Sequence, residues 1–205
     1  MLFRSGKALQ LISDFKVTHL PVVSENKFLG LISEEDLLDI EEQKLTIEVL
    51  QESLVHAAVY DTAHFLIAVN CSIQFDTNVV PVINTENEYS GVITTTDLLK
   101  ALGNFSGATE IGGIIVLEME RSQLAISEIS RIVESNNSTI LHLNTTTNPI
   151  TGILTVTLHL NNKEVEAIVA SFKRYEYDVV FYFGDNKFEN EIEGNYKHFM
   201  NYLDI

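Results

Sequence analysis

The sequence predicts an α+β protein made of two unlike parts, and three observations carry that reading. A strand–hairpin–strand–helix pattern occurs twice in the first hundred residues at a nearly fixed offset. The texture then changes at GNFSGATEIGG (103–113), which holds four glycines and few large apolar residues. Beyond it, residues 112–184 alternate strand and helix patterns in the order βαββαβ, the ferredoxin-like plan.

The repeat is exact in its spacing apart from one residue. Ala8, Phe15 and Pro21 match Ala68, Phe75 and Pro81 at an offset of 60, and Gly30, Asp36 and Leu38 match Gly91, Asp97 and Leu99 at 61. The extra residue falls between Pro and Gly, in SENKF against NTENEY, where the composition is that of a hairpin loop. A loop insertion leaves the flanking strands in register, so the slip supports a structural repeat. In the first unit, Ala8, Leu9, Leu11, Ile12 and Phe15 share a helical face, HLPVV (19–23) and FLGLI (28–32) read as strands, and EEDLLDI opens a helix. In the second, a helix over 63–73 precedes NVVPVI, YSGVIT and TDLLKAL. LVHAAV (54–59) reads as a leading strand that the first unit lacks, and EEQKLTIEVLQES (41–53) as a charged connector with helical spacing.

The second part starts with the strand IIVLEM (114–119) and an amphipathic helix over 122–135. Strands at 138–144 and 151–160 flank a polar turn, a helix is expected over 163–175, and DVVFYF (178–183) is the last strand. The two helices would cover one sheet face and leave the other to pair with a copy. The tail places Phe188, Ile192, Tyr196, Phe199, Met200 and Leu203 on one helical stripe. The expected organisation is therefore a repeated part over 1–102 (repeats at about 1–40 and 54–102), a linker over 103–111, a ferredoxin-like domain over 112–184 and a helical tail over 185–205.

Composition narrows the function classes. Thirteen Lys and Arg against twenty-nine Asp and Glu give a net charge of −16. Nucleic-acid binding needs a basic stripe that displaces counterions, which this acidic sequence does not offer, and a negative field repels anionic membranes as well. An anionic ligand would have to rely on backbone amides and helix ends. No apolar run approaches the length of a membrane span. No secretory h-region is seen at the start, and the expected setting is the cytoplasm. The single cysteine, Cys71, lies in an apolar helical stretch and is expected to be a buried, inert thiol.

Catalytic signatures are not found: there is no Gly-Lys-Ser/Thr phosphate loop, G-x-G-x-x-G, H-E-x-x-H or G-x-S-x-G. No helical His pair has metal-ligand spacing, and His142 and His159 are placed on adjacent strands without facing each other. A non-enzyme with no catalytic residues and no metal is expected. What remains is the doubled G-h-h-[S/T]-x-x-D, where h is apolar, at Gly30–Ser33–Asp36 and Gly91–Thr94–Asp97. Each copy ends a strand and opens a helix, where free N–H groups and the helix dipole favour phosphate. The hydroxyl can donate to phosphate, the carboxylate can accept from a sugar diol, and the glycine admits a ligand close to the backbone. The same letters also spell a capping box, with Ser33 and Thr94 as N-caps and Asp36 and Asp97 reaching back, which contributes about 1 kcal/mol per helix without any ligand. Both roles are open at this level.

Together, A-x12-PVV/PVI, a hairpin and G-[LV]-I-[ST]-x-x-D-L-L resemble a tandem pair of CBS (cystathionine-beta-synthase-type) domains over residues 1 to about 102. The resemblance implies two β-α-β-β-α units around a pseudo-twofold cleft that often takes an adenine nucleotide, with AMP, ADP, ATP or S-adenosylmethionine as regulatory ligand. It implies Ser33 and Asp36 at one site and Thr94 and Asp97 at the other, bordered by Gly30, Thr18 and His19, and by Gly91, Asn78 and Val79. The second copy carries neutral Thr95 and Thr96 where the first has Glu34 and Glu35, which favours Thr94 and Asp97. Residues 112–184 resemble an ACT domain, and the combined order resembles bacterial CBS–ACT proteins of the acetoin-utilisation type. The ACT loop, Met119-Glu120-Arg121-Ser122-Gln123, has no glycine, so homodimerisation rather than amino-acid binding is expected of it. The whole reads as a regulatory protein acting on some other protein. The alternative is a structural or protein-interaction module with vestigial sites.

Overall fold

The computed structural model describes residues 5–38, 54–185 and 200. The expected connector helix at 41–53 and nearly all of the tail stripe lie outside the described residues. The chain divides into two compact units, Met1–Leu102 and Gly103–Ile205.

In the first unit, α1 (Ser5–Phe15) leads into the hairpin of β1 (His19–Ser24) and β2 (Lys27–Ser33), followed by α2 (Glu34–Leu38). The hairpin turns on Glu25 and Asn26, both at positive φ (47° and 68°), a two-residue turn that suits the twist of paired strands. The second repeat runs β3 (Val59–Tyr60), α3 (Phe65–Gln74), β4 (Val79–Ile83), β5 (Tyr89–Thr94) and α4 (Thr95–Phe105). Here β4 and β5 pair antiparallel in the same register as β1 and β2, with Pro81 opposite Val92 as Pro21 is opposite Leu31. Both hairpins carry a bulge one step past the proline, at Val22/Val23 and Val82/Ile83.

The two hairpins join at their tips. Phe28 N–H donates to the Asn87 carbonyl (3.0 Å) and Tyr89 N–H to the Asn26 carbonyl (2.8 Å). The Lys27 ammonium adds a contact to the Glu86 carbonyl at 2.8 Å and to the Glu88 carboxylate at 3.4 Å. Behind them sit two apolar clusters. One joins Ala8, Ile12, Ile32 and Leu37; the other joins Phe28, Leu31, Ala57, Val59, Ala68, Cys71, Val79, Val80 and Leu98. Cys71 is buried there and burial pushes its thiol pKa up, which makes it inert as expected.

Three local expectations need correction. LVHAAV is not one strand: Val55 bridges Leu31 of the first repeat, and only Val59–Tyr60 pair, in parallel, with β4. Phe15 does not share the buried face of Ala8 and Ile12 but stands 71% exposed at the end of α1. The glycine-rich stretch starts inside α4, which continues to Phe105.

The second unit is a four-stranded antiparallel sheet of β6 (Gly113–Met119), β7 (Ile140–Thr147), β8 (Leu154–Leu160) and β9 (Asp178–Phe183) in the order β7-β8-β6-β9. That is the ferredoxin-like order expected from βαββαβ. Helices α5 (Ile126–Ser135) and α6 (Glu166–Arg174) cover one face through Ile129, Ile132, Val133, Ile168, Val169 and Phe172. Gly112 and Gly113 are there for packing: a Cβ would collide with the Leu160 carbonyl at one and with Val165 at the other. His142 and His159, expected out of register, are direct cross-strand partners, because β7 runs on to Thr147 and β8 starts only at Leu154, which moves the pivot of the hairpin. The Phe105 ring meets His142 edge-on, 5.6 Å between centroids.

Candidate functional site

Both copies of the repeated motif close on themselves. Ser33 Oγ donates to Asp36 Oδ2 (2.6 Å) and accepts from Asp36 N–H (3.0 Å). Thr94 Oγ1 does the same with Asp97, at 2.7 and 3.2 Å. The backbone N–H of each hydroxyl residue lies 3.3 or 3.4 Å from the same carboxylate oxygen. These are capping boxes, and each hydroxyl proton is already committed. A ligand at either motif therefore meets the Oδ1 edge of the carboxylate, or must open the box.

The residues before each proline are brought together across the repeat. Thr18 N–H donates to Asn78 Oδ1 (2.8 Å), Asn78 N–H to Thr18 Oγ1 (3.3 Å), and Asn78 Nδ2 to the Lys16 carbonyl (3.0 Å). The Thr18 and Asn78 carbonyls in turn accept from Glu34 and Thr95 N–H, the first residues of α2 and α4 (3.0 Å each). The two candidate sites thus share a common hinge of hydrogen bonds. His19 pairs in register with Ser33 and touches Thr18 Oγ1 through Nδ1 (2.9 Å). Burial holds its pKa below 6.5, against the opposing pull of Asp36, Asp76 and Glu35. Val79 pairs in register with Thr94, but its side chain lies in the apolar core, so it borders the site only through its backbone.

The two glycines differ. A Cβ on Gly30 would lie 2.7 Å from Leu54 Cβ and 3.2 Å from the Val55 carbonyl oxygen, so its open side is filled by the chain's own segment. A Cβ on Gly91 meets nothing within 4 Å. Their backbones match, with φ of 158° and 156°.

Charge separates the copies further. The first carries Glu34, Glu35, Asp36 and Asp39 and no cation; the second carries Asp97 and Lys100. Lys100 Nζ sits 3.8 Å from Asp97 Oδ1, with both groups exposed. Asp97 is held below the usual carboxylate range, first by the Thr94 hydroxyl, then by the Thr94 N–H and by Lys100. Lys100 was absent from the sequence-derived set, although its offset of 61 from Asp39 marks it as a place where the repeats differ in sign.

In the second unit, the Met119–Gln123 loop closes through Glu120 N–H donating to Gln123 Oε1 (2.9 Å). Among the described residues no group of three His, Cys, Asp or Glu is placed to hold a metal ion, and no helix is long and apolar enough to cross a membrane.

The family model described as "CBS domain" matches twice, over residues 6–42 and 63–104. The N-terminal unit carries a pair of CBS domains. Among solved structures, the chain is similar to a CBS domain pair/ACT domain protein from Thermotoga maritima, at 18% identity and a TM-score of 0.46 over 51% of this chain and 85% of that one. It is also similar to CBSX2 in complex with AMP (21% identity, TM-score 0.41, 50% of this chain and 84% of that one). A third is a CBS domain pair in complex with 5′-methylthioadenosine and S-adenosyl-L-methionine (20%, 0.40, 50% and 84%). No curated protein matches the chain.

Proposed function

We propose that this protein is a non-catalytic regulator whose CBS pair senses an adenine nucleotide at the second motif, around Gly91, Thr94, Asp97 and Lys100. Unit 2 acts in this reading as an ACT-like dimerisation domain for a cytoplasmic homodimer that controls another protein. The observation that supports the site most is its asymmetry of charge and space. In a chain of net charge −16, the second motif has neutral Thr95 and Thr96, a lysine on the following turn and an uncovered glycine. The N-terminal end of the α4 dipole and Lys100 offer the positive charge for phosphate, and Asp97 Oδ1 the acceptor for a ribose hydroxyl.

The first motif supports a different role. Its glycine is covered, and Glu34 and Glu35 stand beside its capped aspartate where the second motif has Thr95 and Thr96. Its part in this reading is structural, and it is the half that fits a vestigial site.

Calorimetric titration with AMP, ADP, ATP and S-adenosylmethionine tests the proposal. One site per chain is expected, with a stabilisation of about 2.7 kcal/mol at a ligand concentration of one hundred times Kd. The Thr94→Val, Asp97→Asn double variant should lose that ligand-induced shift. No heat and no change in Tm at millimolar ligand would overturn it.

A further inference from the structure

Asn78 stands immediately before β4, and its side chain is turned to the other repeat. Its Oδ1 accepts from Thr18 N–H (2.8 Å) and lies 3.2 Å from Thr18 Oγ1, while Nδ2 donates to the Lys16 carbonyl (3.0 Å). Lys16, at a φ of 53°, is the left-handed residue that ends α1, and its carbonyl meets the amide there. Both ends of the carboxamide are thus committed to the first repeat.

The main chain of the same residue serves the second motif. Asn78 C=O accepts from Thr95 N–H (3.0 Å), the first residue of α4, and the next residue, Val79, pairs in register with Thr94. One residue therefore joins the first repeat, through its side chain, to the strand end and helix start that carry Thr94 and Asp97. The link is one-sided. Thr18, its counterpart at the offset of 60, holds Glu34 N–H in the same way, but among the described residues its hydroxyl meets only Asn78 and the adjacent His19.

Affinity depends on how firmly the receiving groups are held before a ligand arrives. The capping box fixes Thr94 and Asp97 to each other, whereas the bond to Asn78 fixes the start of α4 to the end of β4. We propose that Asn78 is a positioning residue through which the first repeat sets the affinity of the second motif for its nucleotide. Resting on the nucleotide reading of that motif, this gives the first repeat a part in binding that needs no ligand of its own. Its covered glycine and acidic helix start are then no obstacle, because it acts as the anchor against which the second motif is held.

Calorimetric titration of the full-length protein and its variants with AMP, ADP and ATP tests this, with urea unfolding alongside. Asn78→Ala removes the amide and keeps the carbonyl, and Kd should rise about tenfold for whichever nucleotide the unaltered protein binds best. Thr18→Val, in the other repeat, removes only the hydroxyl and should raise Kd about threefold. The double variant should bind no more weakly than Asn78→Ala alone, because both changes break one contact. A purely structural amide would lower the urea midpoint and leave Kd unmoved, which would overturn the proposal. So would weaker binding in Asn78→Ala with none in Thr18→Val, the sign of an amide that touches the nucleotide itself. Should Asn78→Ala not fold, Thr18→Val decides alone, and an unchanged Kd there overturns the proposal. Absence of heat with the unaltered protein would remove the nucleotide reading as well, whereas binding with Kd unmoved in both variants would remove the role of Asn78 only.

Discussion

GLISEEDLL and GVITTTDLL occupy equivalent places in the fold, with the same strand register, the same capping box and nearly the same glycine φ. Their surroundings are opposite. The first glycine is closed by Leu54 and its helix start is ringed by carboxylates; the second glycine is open and its helix carries a lysine. A repeat therefore preserves what the backbone needs and frees the rest to diverge. Proline, glycine, hydroxyl and aspartate stay because hairpin and cap require them. The filler positions and the following turn set the charge that an anion would meet there.

The largest effect expected from breaking this comparison lies at the glycines. Gly30→Ala and Gly91→Ala pay the same conformational cost, since their φ values are 158° and 156°. Only Gly30→Ala also drives a methyl into Leu54 and the Val55 carbonyl. It should be the less stable variant by about 1–3 kcal/mol, the usual range for overpacking, as read from urea midpoints at equal m-value. Equal losses would mean that Leu54 does not seat on Gly30.

Exchanging charge comes next. Thr95→Glu, Thr96→Glu and Lys100→Asp together give the second motif the charges of the first. The triple variant should fold, because all three side chains are exposed, and should bind nucleotide at least tenfold more weakly, about 1.4 kcal/mol. Unchanged affinity would remove the electrostatic reason for preferring the second site.

The caps should behave alike. Ser33→Ala and Thr94→Ala are each expected to cost about 1 kcal/mol without ligand, since both hydroxyls make the same two hydrogen bonds. A clear loss at one and none at the other, by thermal or urea unfolding, would show that the matching geometry hides unequal roles.

The repeat, its hairpins and the order of the ferredoxin-like sheet were legible in the sequence because they rest on local signals. Those signals are apolar periodicity, turn residues and a loop insertion that leaves strands in phase. The capping boxes were legible as one of two readings, and the structure shows them formed. What escaped depends on contacts distant in sequence or on where a turn pivots. LVHAAV looks like one strand because its apolar run is continuous, yet Val55 serves the first repeat and Val59 the second. His142 faces His159 because β7 continues to Thr147 and β8 starts only at Leu154, so the turn pivots at other residues than its polar composition suggests. Thr18 and Asn78 were read separately as neighbours of two ligands, whereas they bond to each other, a contact spanning sixty residues.

The smallest expected effect concerns pH, and it too separates the copies, since His19 has the apolar Val79 as its counterpart. Burial holds His19 below its ordinary 6.5, so the unfolded chain takes up a proton before the folded chain does. Where the unfolded state binds more protons, stability falls as pH falls. The contribution of neutral His19 is thus present above 6.5 and is lost as pH drops from there through the folded value. Asp97 acts in the same direction at lower pH: its depressed pKa stabilises the fold above the usual carboxylate range and is lost on further acidification. Urea unfolding between pH 5 and 8 should therefore show a gentle slope that disappears in His19→Asn, while the acid limb set by Asp97 persists in that variant and weakens in Asp97→Asn. If His19→Asn leaves the slope near neutrality unchanged, the pull of Asp36, Asp76 and Glu35 offsets the burial of the imidazole, and the hinge contributes nothing to the pH dependence.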